Sequence, residues 1–335
     1  MIPKEFEYAA PGTLDEALAL LAARPDEAKV LAGGHSLIPL MKLRLAEPAL
    51  LVDLGRIGPL RGFSNGGSEL TIRAMTTHQQ LTEAAELTGA AGLIADCARQ
   101  IGDPQVRNRG TIGGSLAHAD PAADLTAAVL ALDAELEAAG QGGARRRIKA
   151  ADFFTDLLTT ALQPGEILTQ VHVPQQQGHV GTAYVKLRNK ASHYALVGVA
   201  AVVTLGDDGR VSRAALAVTG AAATPFRVPA AEDALRNGQP GNGAVDHAAD
   251  LLAAHDVEWN SDLHGSAEYR KHMAGVLAKR AIRLAIVACV GVGSMTVTSP
   301  RPLVATCTAA AAAEPAARLT SSAVIRPPGP VPSRP

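Results

Sequence analysis

The segment VLAGGHSLIPLMKLRL, residues 30–45, constrains the fold of this chain more than any other stretch. The run AKVLA before the glycine pair is short and apolar, as in a strand, and the residues after the pair have helical spacing. Ser36 is placed to cap a helix that begins at Leu37, and Pro39 falls in the first turn, where a missing N–H costs nothing. The segment therefore predicts a strand–turn–helix junction whose turn has a bare backbone and no basic side chain.

A second glycine pair occurs in NRGTIGGSLAHADPAADL, residues 108–125, again beside small hydroxyl residues. Paired glycines allow positive φ and let a ligand approach the main chain, where consecutive N–H groups form a nest for an anion. Neither a GxGxxG fingerprint nor a P-loop is present in the sequence. Two such loops predict a clamp for a diphosphate, and the alternative is that both are ordinary tight turns.

Composition limits the kind of partner. The 335 residues favour two or three compact units, and 31 Lys and Arg nearly balance 32 Asp and Glu, so bulk charge selects neither nucleic acid nor an anionic membrane. The three cysteines, Cys97, Cys289 and Cys307, are widely scattered and free of CxxC spacing. We expect no disulfide framework, no zinc site and no iron–sulfur cluster in this chain.

The sequence predicts no targeting signal. The N-terminal MIPKEFEYAAPG has acidic residues and no apolar core of a signal peptide. The longest apolar run, residues 194–205, is about half of the roughly 20 residues that a membrane helix needs. A cytoplasmic protein without a transmembrane segment is expected.

The first half of the chain alternates predicted helices and strands. TLDEALALLAA is predicted as a helix because Thr13 and Glu16 form a capping box and three leucines share one face. The segments LLVDLG, ELTIRAMTT and ILTQVHVP have the pattern of strands. Helices are predicted for HQQLTEAAEL, GLIADCARQI and PAADLTAAVLAL, the last of them capped near Asp120.

A polar linker, PQQQGHVG at residues 174–181, predicts a domain boundary. Beyond it, TAYVKL, YALVGVAAVVTL and VSRAALAVTG are predicted strands, with a turn at GDDG, followed by helices around 230–236, 244–255 and 268–290. This pattern is α+β, an antiparallel sheet covered by helices. From about Gly291 the composition changes to Ala, Ser, Thr and Pro, which predicts a disordered tail.

The two motifs LAGGHSLIPLMKLRL and DPQVRNRGTIGGSLAHADPAADL resemble those of the FAD-binding medium subunits of the molybdenum hydroxylase (xanthine dehydrogenase) family, most closely the carbon monoxide dehydrogenase branch. The resemblance runs from the N-terminus to about residue 286. It implies a two-part FAD-binding domain of the vanillyl-alcohol oxidase or PCMH type over residues 1–176, then an α+β C-terminal domain over 177–288. Residues 289–335 would be the tail.

The resemblance also implies the residues that bind FAD, with no catalytic residue and no metal ligand among them. The first loop would wrap the pyrophosphate and the second would close on it from the other side. The residues of the first loop are Ala32, Gly33, Gly34, His35, Ser36 and Leu37, and those of the second are Gly110, Thr111, Ile112, Gly113, Gly114 and Ser115. Ser115 replaces an asparagine of many relatives, and a hydroxyl can still bond a phosphate or ribityl oxygen.

Further positions match the polar chain and rings of FAD. Asp124 would contact the ribityl or phosphate chain, or else be an ordinary acidic residue in a first helical turn. Ile101 and Val106 match apolar ring contacts, or else are core residues. Leu168 and Lys186 match positions near the isoalloxazine, where the lysine would stabilise reduced flavin.

Tyr194 matches the tyrosine that shields the flavin, or else it begins a buried strand. His35 is expected to contact the ligand through its backbone, and His118 and His193 to be surface or packing residues, none of them working in acid–base chemistry.

The family implies a heterotrimer, usually doubled. A large molybdopterin subunit would oxidise the substrate, a small subunit with two [2Fe–2S] clusters would relay electrons, and this chain would pass them from FAD to an external acceptor, a quinone or NAD. No nicotinamide signature is found, which favours a quinone. Carbon monoxide, an aldehyde, a purine or another N-heterocycle remain possible substrates. Alternatives are a stand-alone flavin reductase and a regulatory or assembly subunit that binds a nucleotide without redox chemistry.

Overall fold

A short parallel sheet begins the chain. The computed structural model describes residues 2–236 and 238–290. Capped by Thr13 and Glu16 as predicted, helix α1 packs its buried face on this sheet, whose strand order is β1-β3-β2. The elements are β1 (Glu7–Ala9), α1 (Leu14–Ala23), β2 (Ala28–Leu31), α2 (Leu37–Lys42) and β3 (Leu50–Asp53).

An antiparallel five-stranded sheet, ordered β4-β5-β10-β6-β7, forms the second part of the N-terminal lobe. Its strands are β4 (Phe63–Asn65), β5 (Glu69–Arg73), β6 (Glu135–Ala139), β7 (Arg145–Lys149) and β10 (Ile167–Pro174), and a hairpin adds β8 (Phe154–Asp156) and β9 (Thr159–Thr160). The helices of this part are α3 (His78–Glu83), α4 (Gly92–Arg99), α5 (Pro104–Arg109), α6 (Ile112–His118), α7 (Asp124–Ala131) and α8 (Ala150–Phe153).

The C-terminal lobe is a four-stranded antiparallel sheet, ordered β11-β12-β13-β14, with helices on both faces. Its strands are β11 (His179–Arg188), β12 (Ala195–Leu205), β13 (Val211–Thr219) and β14 (Phe226–Arg227), and its helices are α9 (Pro229–Leu235), α10 (Asn242–Ala253) and α11 (Ala267–Cys289). One sheet face packs on these three helices, and the other joins the core of the N-terminal lobe. Burial on both faces explains why β12 is apolar almost throughout.

The predicted α+β fold with an antiparallel C-terminal sheet is therefore confirmed. Cys289 closes α11, so the last helix reaches one residue into the predicted tail, whose residues 291–335 lie outside the described part. Among the described residues, no helix combines the length and apolar character needed to cross a bilayer.

Two predicted caps are wrong. Ser36 makes no capping bond through its side chain, because the amide of Ile38 already donates to the carbonyl of Gly34 and places Ser36 within the turn. Asp120 does not cap α7, which begins at Asp124 after an extended Ala123. The Asp120 carboxylate instead accepts the amide of Ala122 at 2.8 Å and closes a local turn.

Candidate functional site

The two glycine loops lie against each other. A β-carbon added to Gly33 would lie 2.2 Å from the carbonyl oxygen of Arg109 and 2.7 Å from Cα of Gly110. A β-carbon added to Gly114 would lie 3.4 Å from that of Ala32. The loops meet backbone to backbone, which only glycine allows at this separation, so both motifs contribute to one surface.

The first loop offers free backbone donors. The amides of residues 33–36 find no acceptor within residues 2–236 and 238–290. Gly34 has φ +77°, a left-handed conformation that turns successive amides toward a common side. His35 is exposed, and its Nδ1 lies 3.1 Å from the carbonyl oxygen of Gly33. This loop can hold an anion without a basic side chain.

The second loop is built differently. The amides of Ile112 and Gly113 donate to carbonyls of residues 76 and 74, at 3.0 and 2.8 Å, and the amide of Ser115 donates to the carbonyl of Thr111 at 3.0 Å. The amide of Gly114 donates to the hydroxyl of Thr111 at 3.1 Å, which caps α6. Because these donors are already used, the expectation of two amide nests is half wrong. The second loop supports the first and starts a helix.

A histidine that the sequence reasoning missed lies beneath this contact. The amide of His78 donates to the carbonyl of Gly110 at 2.9 Å, and its ring fills the space that a β-carbon on Gly110 would need. The ring is buried, Nδ1 has no partner among the described residues, and burial, helped by the charges of His35 and Arg107, lowers the pKa of His78 to about 4. His78 is therefore neutral at pH 7 and packs as part of the support. The capping pair Thr77 and Gln80 marks the helix start in the sequence, but no pattern shows what its first residue faces.

Asp124 and Lys186, far apart in the sequence, form a buried ion pair between the lobes. Their closest oxygen and nitrogen are 2.8 Å apart, and the two side chains are 6% and 1% exposed. Lys186 also donates to the carbonyl of Gln100 at 2.9 Å, and the hydroxyl of Tyr184 donates to Asp124 at 2.6 Å. Burial raises the pKa of Asp124, against the opposing effect of Lys186 and Tyr184. Asp124 thus lies in the first turn of α7, as the alternative expected, and its carboxylate is buried and paired with a lysine.

The remaining predicted positions lie around the glycine loops and the Asp124–Lys186 ion pair. Ile101, half-buried, follows Gln100 and packs on the large core, and Val106 is half-buried on α5. Leu168 is buried in that same core, on a strand next to α6.

Tyr194 lies just before β12 and is 46% exposed, so the idea that it begins a buried strand is wrong. Burial raises its pKa, with contributions from Asp120 and Asp124, which places its phenol on the Asp124 side of the lobes. The preceding His193 has φ +60° and its ring lies where a β-carbon on Gly102 would be, so His193 is a packing residue. His118, at the end of α6, is half-buried.

A cleft of about 230 Å³ opens beside Tyr194, between the turn at residues 120–122 and the C-terminal lobe. Its floor holds Arg270, which is 3% exposed and donates to the carbonyls of Leu196 and Gly220 at 2.6 and 2.9 Å. Asp262 accepts from the same guanidinium at 2.6 Å. The cleft therefore has a rigid floor whose cation is already paired.

The free amides of the first loop and its tight backing by the second fit the diphosphate of a dinucleotide such as FAD. Within the described ranges no cluster of three or more His, Cys, Asp or Glu side chains could hold a metal ion. The fold and the loop pair thus define a dinucleotide-binding protein of two lobes.

Comparison with known proteins identifies its family. The model of the FAD binding domain in molybdopterin dehydrogenase matches residues 4–176, and that of the CO dehydrogenase flavoprotein C-terminal domain matches residues 182–285. The carbon monoxide dehydrogenase medium chain of Hydrogenophaga pseudoflava is 40% identical over 289 residues, which cover 86% of this chain and all of that protein. Subunit alpha of the 6-hydroxypseudooxynicotine dehydrogenase complex of Paenarthrobacter nicotinovorans is 35% identical, covering 85% of this chain and 96% of that one.

A solved structure supports the same family assignment. Carbon monoxide dehydrogenase from Hydrogenophaga pseudoflava, which lacks the Mo-pyranopterin moiety of its cofactor, has a chain that superposes with a TM-score of 0.83 at 42% identity, covering 86% of this chain and all of that one. The chain belongs to the family of FAD-binding medium subunits of molybdenum hydroxylases. The predicted family, FAD cofactor and oxidoreductase class are confirmed.

Proposed function

We propose that this chain carries electrons from iron–sulfur clusters of a partner subunit, through FAD, to an external acceptor. Its partners would be a small [2Fe–2S] subunit and a large molybdopterin subunit, in a heterotrimer that can be doubled and that works in the cytoplasm. Support comes from relatives named as medium chains or complex subunits. The chain has three cysteines with no cluster spacing, so the relay to FAD must come from a partner.

The observation that carries this proposal is the run of free amides at residues 33–36. Ala32 to Leu37 would hold the FAD diphosphate, with the dipoles of the turn opposing its charge. Gly110 to Ser115 would close the other side, through the Ser115 hydroxyl and the start of α6 rather than through amides of residues 112–115. FAD, when bound, accepts two electrons and releases them singly or in pairs.

The other side chains would orient the ring and control its surroundings. Lys186, held by Asp124, would place a positive charge beside the isoalloxazine and so favour the reduced form. Ile101, Val106 and Leu168 would exclude water from the apolar rings. Tyr194, at the mouth of the cleft, would cover the ring and separate it from the acceptor.

The acceptor is a quinone or NAD, and the substrate of the complex is set by the large subunit. Carbon monoxide is one candidate, because the relatives with 40% identity are carbon monoxide dehydrogenase medium chains. We propose that the FAD-binding domain covers residues 1–176 and the C-terminal domain residues 177–288, the polar stretch 174–181 being the link.

The test is to purify the chain alone and with both partners, under anaerobic conditions, and to follow flavin absorbance. One FAD per chain, bleached by the substrate only when both partners are present, supports the proposal. Bleaching of the isolated chain by NADH at turnover rates would support a stand-alone reductase instead. A chain that binds FAD but never exchanges electrons with the clusters would be a nucleotide-binding assembly subunit.

A further inference from the structure

Tyr184 is buried where only a glycine in the neighbouring strand leaves room for it. It is 6% exposed, and a β-carbon added to Gly198 on β12 would lie 2.3 Å from its hydroxyl oxygen. That hydroxyl reaches across to the N-terminal lobe and donates to Asp124 at 2.6 Å. Tyr184 and Lys186 are two residues apart on β11, so they share a face and meet the same carboxylate.

The ammonium of Lys186 is held mainly by the Asp124 carboxylate. It donates to Asp124 and to the carbonyl of Gln100, both at 2.9 Å. The other oxygen of the same carboxylate lies 2.8 Å from the ammonium nitrogen, so two carboxylate oxygens and one carbonyl oxygen surround its three N–H groups. Gln100 also donates from its side chain to the carbonyl of Tyr184 at 3.0 Å, which fixes β11 against the end of α4. The charge that Lys186 can offer a ligand thus depends on how much of it Asp124 neutralises.

We propose that Tyr184 is a positioning residue that sets the charge presented by Lys186 to bound FAD, by sharing the Asp124 carboxylate with it. This inference rests on the proposed placement of Lys186 beside the isoalloxazine. A hydrogen bond to a carboxylate stabilises its ionised form and disperses its charge. Without the phenol, the ionised carboxylate acts on the lysine alone and cancels more of its field at the ring.

The same bond controls protonation of the pair. Burial already raises the pKa of Asp124, and loss of a donor raises it further. The titratable groups that face Asp124 are Lys186 and Tyr184 on β11, Cys97 on α4 and Tyr194 before β12. Burial raises the pKa values of the Cys97 thiol and the Tyr184 phenol, so neither carries a charge beside the Asp124 carboxylate.

The experiment compares wild type with Tyr184→Phe, full chain with FAD, measuring the flavin midpoint potential between pH 5.5 and 9. At the alkaline end Asp124 is ionised in both proteins. There the affinity for reduced FAD relative to oxidised FAD is about tenfold lower in the variant than in wild type, which lowers the midpoint potential by about 30 mV for a two-electron couple. As the pH falls, Asp124 is protonated at a higher pH in the variant than in wild type, so Lys186 is left unopposed there first and the difference between the two potentials shrinks. The pH dependence of the potential therefore becomes steeper.

Tyr8→Phe is the matched control, since Tyr8 also donates to an aspartate, Asp53, at 2.6 Å, but on the exposed surface. Its potential should superimpose on that of wild type at every pH. Site-specific 3-fluorotyrosine at position 184 keeps the side chain and strengthens the bond, so it should flatten the pH dependence even if Tyr184→Phe does not fold.

Three results separate the possible failures. If Lys186→Met changes the potential while both Tyr184 changes leave it unaltered, Tyr184 is only structural and the inference is overturned. If Lys186→Met also has no effect on the potential, the proposed placement of Lys186 is wrong. Opposite shifts from Tyr184→Phe and the fluorinated residue support the inference.

Discussion

The closest test of the loop pair is Gly33→Ala. Gly33 does not have a positive φ, so alanine meets no backbone strain there, and the whole effect comes from steric contact. The new methyl group would lie 2.2 Å from the carbonyl oxygen of Arg109 and 2.7 Å from Cα of Gly110. Both neighbours are backbone atoms, which cannot rotate away as a side chain would.

The size of the effect follows from that distance. Atoms in ordinary contact lie about 3.5 Å apart, so the loops must separate by about 1.3 Å. Overpacking of this kind costs about 1–3 kcal/mol of stability. If that strain falls on the FAD-binding surface, the same free energy corresponds to a rise of about 5-fold to 150-fold in the dissociation constant of FAD.

The assay is a fluorescence titration of the FAD-free chain with FAD, with urea unfolding measured in parallel. Gly243→Ala is the control, because it lies in a helix with no atom within 4 Å of the added carbon, and it should bind FAD like wild type. If Gly33→Ala keeps FAD affinity within about threefold of wild type while still folded, the loops do not form one binding surface and the reasoning fails.

Three further predictions concern stability. His78 has a pKa of about 4 in the folded protein against 6.5 in the unfolded chain, so it is neutral when folded. Its contribution to the unfolding free energy is therefore complete above pH 6.5, and that free energy falls by about 3 kcal/mol as the pH falls toward 4. His78→Leu should remove this pH dependence, measured by urea titrations. Thr13→Ala removes a capping hydrogen bond, so it should cost about 1 kcal/mol of unfolding free energy and lower the melting temperature accordingly. Ser36→Ala removes no capping bond and should lower the melting temperature much less; equal losses of melting temperature would contradict the cap geometry. Asp124→Asn leaves the buried ammonium of Lys186 without its anion and should cost about 3 kcal/mol or more of unfolding free energy, measured in urea. Asp96→Asn breaks the exposed ion pair with Arg99 and should cost under about 1 kcal/mol. Similar costs for the two variants would show that the Asp124 pair is not buried.

Local patterns were sufficient for much of the fold. The capping box of Thr13 and Glu16 depends on residues three apart, and the structure has it as predicted. The long apolar strand β12 was visible because burial on both faces removes alternation. Ser36 and Asp120 have the residue types of caps, but neighbouring turns decide their backbone conformation, and local residue type cannot show that.

The site was less predictable, because its key contacts are distant in sequence. The glycine pairs indicated close approach, but only the fold shows that Gly33 lies against the backbone of Arg109. Tyr184 precedes Lys186 by two residues, so strand periodicity places both on one face. Which carboxylate lies opposite that face depends on how the lobes pack, and Asp124 is 60 residues away along the chain from Tyr184.

The four-stranded sheet has a consequence for how the protein is made. Its strands β11 to β13 lie in the second half of the chain, yet one face is covered by α4 and α7 from the first half. A nascent chain that has left the ribosome only as far as residue 176 therefore exposes the apolar sides of those helices to water. Synthesis of the residues that follow the linker completes the core, and truncation at the linker should yield a fragment that aggregates instead of a smaller working flavoprotein.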